Sequence, residues 1–133
     1  MATEPPHHFD ADEVREAGRA AGDWLADYLE HLGRRPVTSG VAPGDVRSSL
    51  PDRAPEAPEP FTDVLADVNA LIAPALTHWQ HPGFFGYFPT NSSPPAILAE
   101  LISAGLGVNG MLWSTSPACT ELETQVLDWL VDL

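Results

Sequence analysis

Histidines, aromatic rings and hydroxyls crowd into one stretch of this chain. Between Thr77 and Ser93, the residues His78, Trp79, His81, Phe84, Phe85, Tyr87 and Phe88 lead directly into Pro89, Thr90, Asn91, Ser92 and Ser93. Proline, asparagine and serine in succession favour turns, so this run belongs on a loop and not inside a packed helix or strand. Rings beside hydroxyls and an amide suit a pocket for a flat, partly polar ligand. His78 and His81, at i and i+3, have a spacing that can share a metal on a helix, but no third ligand stands nearby and Pro82 forces His81 into an extended turn. Trp79 and His81 are therefore read as shaping a pocket rim. Phe84 and Phe85 are read as core, the commoner fate of adjacent phenylalanines.

Two further groups resemble catalytic machinery without the right spacing. Glu121 and Glu123 stand at i and i+2, which on a helix points them to different sides, so they read as helix-start charges that favour the macrodipole. Cys119 has no basic neighbour to lower its pKa, which argues against a nucleophile. Nowhere do a nucleophile, a base and an orienting group stand together at plausible spacing, so a free-standing enzyme that needs no cofactor is a weak reading.

The runs HPGFFGYFPT at 81–90 and SPACTELE at 116–123 are each long, and both lie in the stretch from Thr77 to Trp129. In order and spacing this stretch closely resembles the N-terminal part of the group II pyridoxal-phosphate decarboxylases, the aromatic-L-amino-acid decarboxylase family. Two long motifs in register over roughly fifty residues are far more specific than one short pattern. The resemblance implies a homodimeric carboxy-lyase with pyridoxal 5'-phosphate as cofactor and an amino acid, foremost an aromatic one, as substrate. It implies that Tyr87, Phe88, Pro89 and Thr90 line the substrate site with Trp79 and His78, and that the Thr90 hydroxyl lies by the substrate carboxylate. Orienting that carboxylate influences which bond breaks. It also implies that Asn109 and Met111 reach the neighbouring subunit's substrate pocket. Animal members carry apolar and aromatic groups there, whereas VNGMLW at 108–113 is more polar and resembles bacterial members; glutamate, diaminobutyrate and sulfinate substrates occur among relatives.

An absence matters as much. All six basic residues are arginine, and there is no lysine. Pyridoxal phosphate is normally held as an imine on a lysine amine, so this chain has no catalytic or cofactor-binding residue of that kind. In the family the lysine and the other cofactor-holding residues lie further along than position 133. The expectation is an inactive N-terminal fragment of a decarboxylase, and Leu133, falling in mid-pattern with no stop signal, agrees with a sequence that continues. The alternative is a non-catalytic interaction or dimerisation module that docks on a full-length protomer.

Composition narrows the class. A formal charge of −13 argues against nucleic acid and anionic membrane surfaces. One cysteine allows no internal disulfide, and the N-terminus lacks the basic start and apolar run of a leader, so a cytoplasmic location is expected. From Ala54 onward there are nine acidic residues and no Lys or Arg, which reads as a solvated acidic face.

The elements that position these residues are helical. Val14, Ala17, Ala21, Trp24, Leu25, Tyr28 and Leu32 recur at spacings of three and four and predict a helix over about 10–32 that needs a partner surface, which the resemblance places on the neighbouring subunit; the alternative is an ordinary surface helix on its own core. Residues 33–60 carry six prolines and predict an irregular connector with neither helix nor central strand. Helical spacing returns over 61–76, limited by Pro74. Ser93 with Pro94 and Pro95 opens a third helix closed by Gly105 and Gly107, and Ser116 with Pro117 opens a fourth. The predicted class is mainly α with a long Pro-rich connector, the front of an α/β fold-type I enzyme lacking its central sheet. Residues 1–76 would form a helical dimer clamp, and 77–133 the active-site loop and first helices leading into the cofactor domain.

Overall fold

A computed structural model describes residues 9–88 and 92–133. The chain divides into two compact units at residues 89 and 90. Among the described residues there are helices and turns and no strands, as the patterning predicts.

The first unit is built on α1 (Ala11–His31). Asp10 starts it. One carboxylate oxygen accepts from the backbone N–H of Asp12 at 2.8 Å and of Glu13 at 2.9 Å, and the Glu13 carboxylate accepts from Asp10 N–H at 2.8 Å. This reciprocal box satisfies donors that the first turn leaves unpaired. A 3-10 turn (Leu32–Arg34) ends the helix and buries Leu32 to 5 % exposure.

The prolines keep most of the connector irregular, with one correction. Between Pro43 and Pro51 lies a proline-free run, and it closes a single helical turn, α2 (Asp45–Ser48). Asp45 holds that turn from both ends: its carboxylate accepts from Ala42 N–H at 2.7 Å, and its carbonyl accepts from the Ser48 and Ser49 hydroxyls at 2.8 and 3.0 Å.

The next helix, α3 (Phe61–Asp67), widens into a π stretch (Val68–Ile72) and then tightens into a 3-10 turn (Ala73–Ala75). Pro74 accounts for the change. It has no N–H to give the Ala70 carbonyl, and its ring crowds that carbonyl, so the regular ladder cannot continue. Ala73 is fully buried. Helix α3 packs against α1, and Phe9 meets Phe61 edge-on, ring centroids 6.3 Å apart. The α1 helix thus has a neighbour within its own unit, and most of its stripe is half-buried. Val14 alone of the stripe's larger residues is exposed, at 55 %.

The second unit carries α4 (Pro94–Leu106) and α5 (Pro117–Val131), both opened by proline and neither capped by a side chain. Gly107 ends α4 in the left-handed conformation, φ 60°, and its N–H donates to the Ser103 carbonyl at 3.2 Å, whereas Gly105, expected to share in closing the helix, lies within it. Leu98, Leu101, Ile102 and Leu106 on α4, and Leu122, Leu127, Trp129 and Leu130 on α5, are all more than half exposed. No helix among the described residues is long and apolar enough to cross a membrane.

Candidate active site

The aromatic stretch folds into two consecutive tight turns. His81 N–H donates to the His78 carbonyl at 3.0 Å, and Phe84 N–H donates to the His81 carbonyl at 2.9 Å. The His81 ring accepts from Gly83 N–H at 2.8 Å, which fixes the turn across Pro82. These turns fold the chain back so that Trp79 lies near Phe84, centroids 5.0 Å apart, and stacks on Tyr87 at 5.6 Å with 27° between planes. Offset stacking at such distances is the favoured geometry for aromatic pairs.

This stack presents an open aromatic face, with Trp79 at 47 % and Tyr87 at 84 % exposure. Tyr87 occupies φ 53°, a left-handed conformation that costs a bulky residue of order 1–3 kcal/mol and that the surrounding structure must enforce. Phe88 follows, fully exposed. Pro89 and Thr90, the remaining members of the predicted loop, lie outside the described residues, as does Asn91. Phe85 corrects an expectation: it is 92 % exposed rather than core, while Phe84 is half-buried against Trp79. Adjacent side chains on an extended turn point apart, so only one of the two can face inward.

His78 is placed differently from its neighbours. It is 2 % exposed, its Nδ1 lies 2.7 Å from the Tyr28 hydroxyl of α1, and its N–H donates to the Val37 carbonyl at 2.9 Å. Tyr28 is stacked on Trp24, centroids 5.4 Å apart, and carries the Arg35 guanidinium over its ring at 5.1 Å. Burial pushes the Tyr28 phenol above its usual range, partly offset by Arg35. Burial also holds the His78 imidazole below its usual range, and the positive charges of Arg35 and His81 act in the same direction. The imidazole is turned into the unit, so the open wall consists of Trp79 and Tyr87. The hydrogen-bonded pair could not have been read from spacing, because its partners are fifty positions apart.

In the second unit Asn109 makes a local turn, its side-chain oxygen accepting from Met111 N–H at 3.1 Å. The Thr115 hydroxyl is within hydrogen-bonding distance of the Asn109 and Leu112 carbonyls, at 2.8 and 2.9 Å. Met111 is 78 % exposed. Gly110 between them backs onto α5: a Cβ there would lie 3.2 Å from the Cys119 Cβ. Glu121 accepts from the Trp113 indole at 3.0 Å, a structural use of a carboxylate at the start of α5. Among the described residues no three His, Cys, Asp or Glu side chains gather as a metal site.

Residues 43–133 match the pyridoxal-dependent decarboxylase conserved domain. The chain is 46 % identical over 122 residues to the aromatic-L-amino-acid decarboxylase of Rattus norvegicus, covering 92 % of this chain and 25 % of that protein. It is 50 % identical over 125 residues to the phenylacetaldehyde synthase of Arabidopsis thaliana, covering 94 % of this chain and 26 % of that protein. Its structure superposes on Catharanthus roseus tryptophan decarboxylase, solved in complex with L-tryptophan, with a TM-score of 0.88 and 39 % identity, over 95 % of this chain and 27 % of that one. The chain thus spans about a quarter of the length of these relatives and matches the N-terminal part of the fold. The residues present do not fit as holders of the family's cofactor: there is no lysine to form the imine, and no Lys or Arg from Ala54 onward to meet a phosphate. What they do provide is the aromatic wall, and over more than half its length the chain belongs to the pyridoxal-dependent decarboxylase family.

Proposed function

We propose that this chain forms the N-terminal part of a pyridoxal-phosphate-dependent decarboxylase that converts aromatic L-amino acids to amines and carbon dioxide, and that it supplies the substrate side of the pocket. The single observation that carries this reading is the exposed Trp79–Tyr87 stack, a flat apolar surface against which a substrate ring can lie. Thr90, next to that wall in sequence, would orient the substrate carboxylate through its hydroxyl. Phe88 and Pro89 would complete the loop, and Asn109 and Met111 would face the substrate bound by the partner subunit of a cytoplasmic homodimer. In this division residues 1–76 act as a helical clamp and 77–133 lead into the cofactor-bearing domain. A second product class is favoured by one finding: relatives 50 % identical to this chain are aldehyde synthases, so an aromatic aldehyde is the other outcome.

A chimera tests the proposal. Replacing the corresponding N-terminal part of the rat decarboxylase with this chain should restore a cofactor-loaded enzyme that releases carbon dioxide from aromatic amino acids, where the rat protein lacking that part does not. Product analysis separates amine from aldehyde. Thr90→Val in this chimera should lower kcat/KM roughly ten- to a hundred-fold, about 1.5 to 3 kcal/mol, with cofactor absorbance retained. Unchanged kcat/KM, or activity lost together with cofactor, would remove the role given to Thr90.

A further inference from the structure

We propose that Tyr28 and His78 form a latch through which the first helix sets the position of the aromatic wall, so that His78 is a positioning residue acting through Trp79. This rests on the reading of Trp79 and Tyr87 as substrate wall. Three observations converge on it. The Tyr28–His78 contact, at 2.7 Å, joins α1 to the residue immediately preceding Trp79. His78 is also held by its backbone bond to Val37, so both its side chain and its main chain are fixed from outside the aromatic turn. Tyr28 in turn is held by ring contacts with both Trp24 and the Arg35 guanidinium.

The next link is geometric. With His78 pinned, the His78 carbonyl accepts from His81 N–H, and the turn that follows brings Phe84 and Tyr87 onto the Trp79 ring. The strained Tyr87 backbone needs such a fixed base, because a conformation that costs energy persists only where its surroundings determine it. Releasing the latch should therefore loosen Trp79 and Tyr87 before it unfolds α1.

Two readouts test this. In the chain itself, labelled with 5-fluorotryptophan and assigned by single Trp→Phe variants, Tyr28→Phe should shift or broaden the fluorine signal of Trp79 while that of Trp129 stays in place. In the chimera, Tyr28→Phe should raise KM for an aromatic amino acid about three- to tenfold with kcat within about twofold. His78→Asn offers both an acceptor and a donor at similar reach and should stay close to wild type, whereas His78→Leu should behave like Tyr28→Phe. In a Trp79→Phe background the effect of Tyr28→Phe on KM should disappear, since coupled residues are non-additive. An unmoved Trp79 signal, or additive effects of Tyr28→Phe and Trp79→Phe, overturns the latch; so does a fall in kcat that tracks the melting temperature. A chimera with no activity on aromatic amino acids would instead refute the proposed function, and the fluorine signal would still decide the latch.

Discussion

The two units of this chain solve the problem of burial in opposite ways. In the first, residues distant in sequence converge: Leu32, Ala73 and His78 are all at or below 5 % exposure, and a hydroxyl–imidazole contact links helix to turn. In the second, among the described residues only Ser116 is buried, and two helices hold their leucines in the open. The first unit is stabilised by contacts it makes with itself. The second presents an apolar surface of a kind that isolated soluble proteins rarely display.

The largest test of this contrast is truncation of one leucine in each unit. Leu32→Ala should cost about 2 to 5 kcal/mol, the usual loss for a buried leucine. Leu101→Ala, at a site already 65 % exposed, should stay within about 0.5 kcal/mol. Denaturant midpoints of the two variants measure the difference, and equal losses would show that the second unit buries its leucines after all.

Acid should also separate the units. Every histidine lies before residue 82, and His78 is held below its usual range by burial, Arg35 and His81. The unfolded chain therefore binds this proton more readily than the folded one. The His78 contribution to stability is complete above about pH 6.5 and is lost as pH falls through the lowered folded value. Hydrogen exchange corrected for intrinsic rates should rise at pH 5 relative to pH 7 around Tyr28, Val37 and His78, with no matching rise in α4 and α5 from a histidine. Uniform acceleration in both units would break the comparison.

The smallest expected effect concerns helix starts. Asp10→Ala removes a side-chain cap and should cost about 1 kcal/mol, whereas Ser93→Ala, at a proline-opened start with no side-chain bond, should cost a few tenths. Thermal melts of both variants provide the check.

The helices were legible because their signals are local. The α1 stripe, the Pro-opened starts of α4 and α5 and the glycine end of α4 each depend on residues within a few positions of one another. What escaped depends on reach. The α2 turn formed because Asp45 bonds at both of its ends in a proline-free gap, and composition averaged over the connector hides that gap. Phe85 looked like core because pairing statistics do not see which way a turn aims a ring. The burial of His78 depends on Tyr28, and no periodicity connects those two residues. The family resemblance singled out Tyr87 and Trp79 as pocket residues; their stacking emerged only with the backbone.

Gly110 sets a limit on how this family member can evolve. Its flanks, Asn109 and Met111, are the positions proposed to face substrate, and a Cβ at 110 would lie 3.2 Å from the Cys119 Cβ, so the start of α5 would have to give by a few tenths of an ångström. Variation is channelled to alternate residues. Laboratory selection for new amino-acid preferences should accordingly recover changes at 109 and 111 more often than at 110.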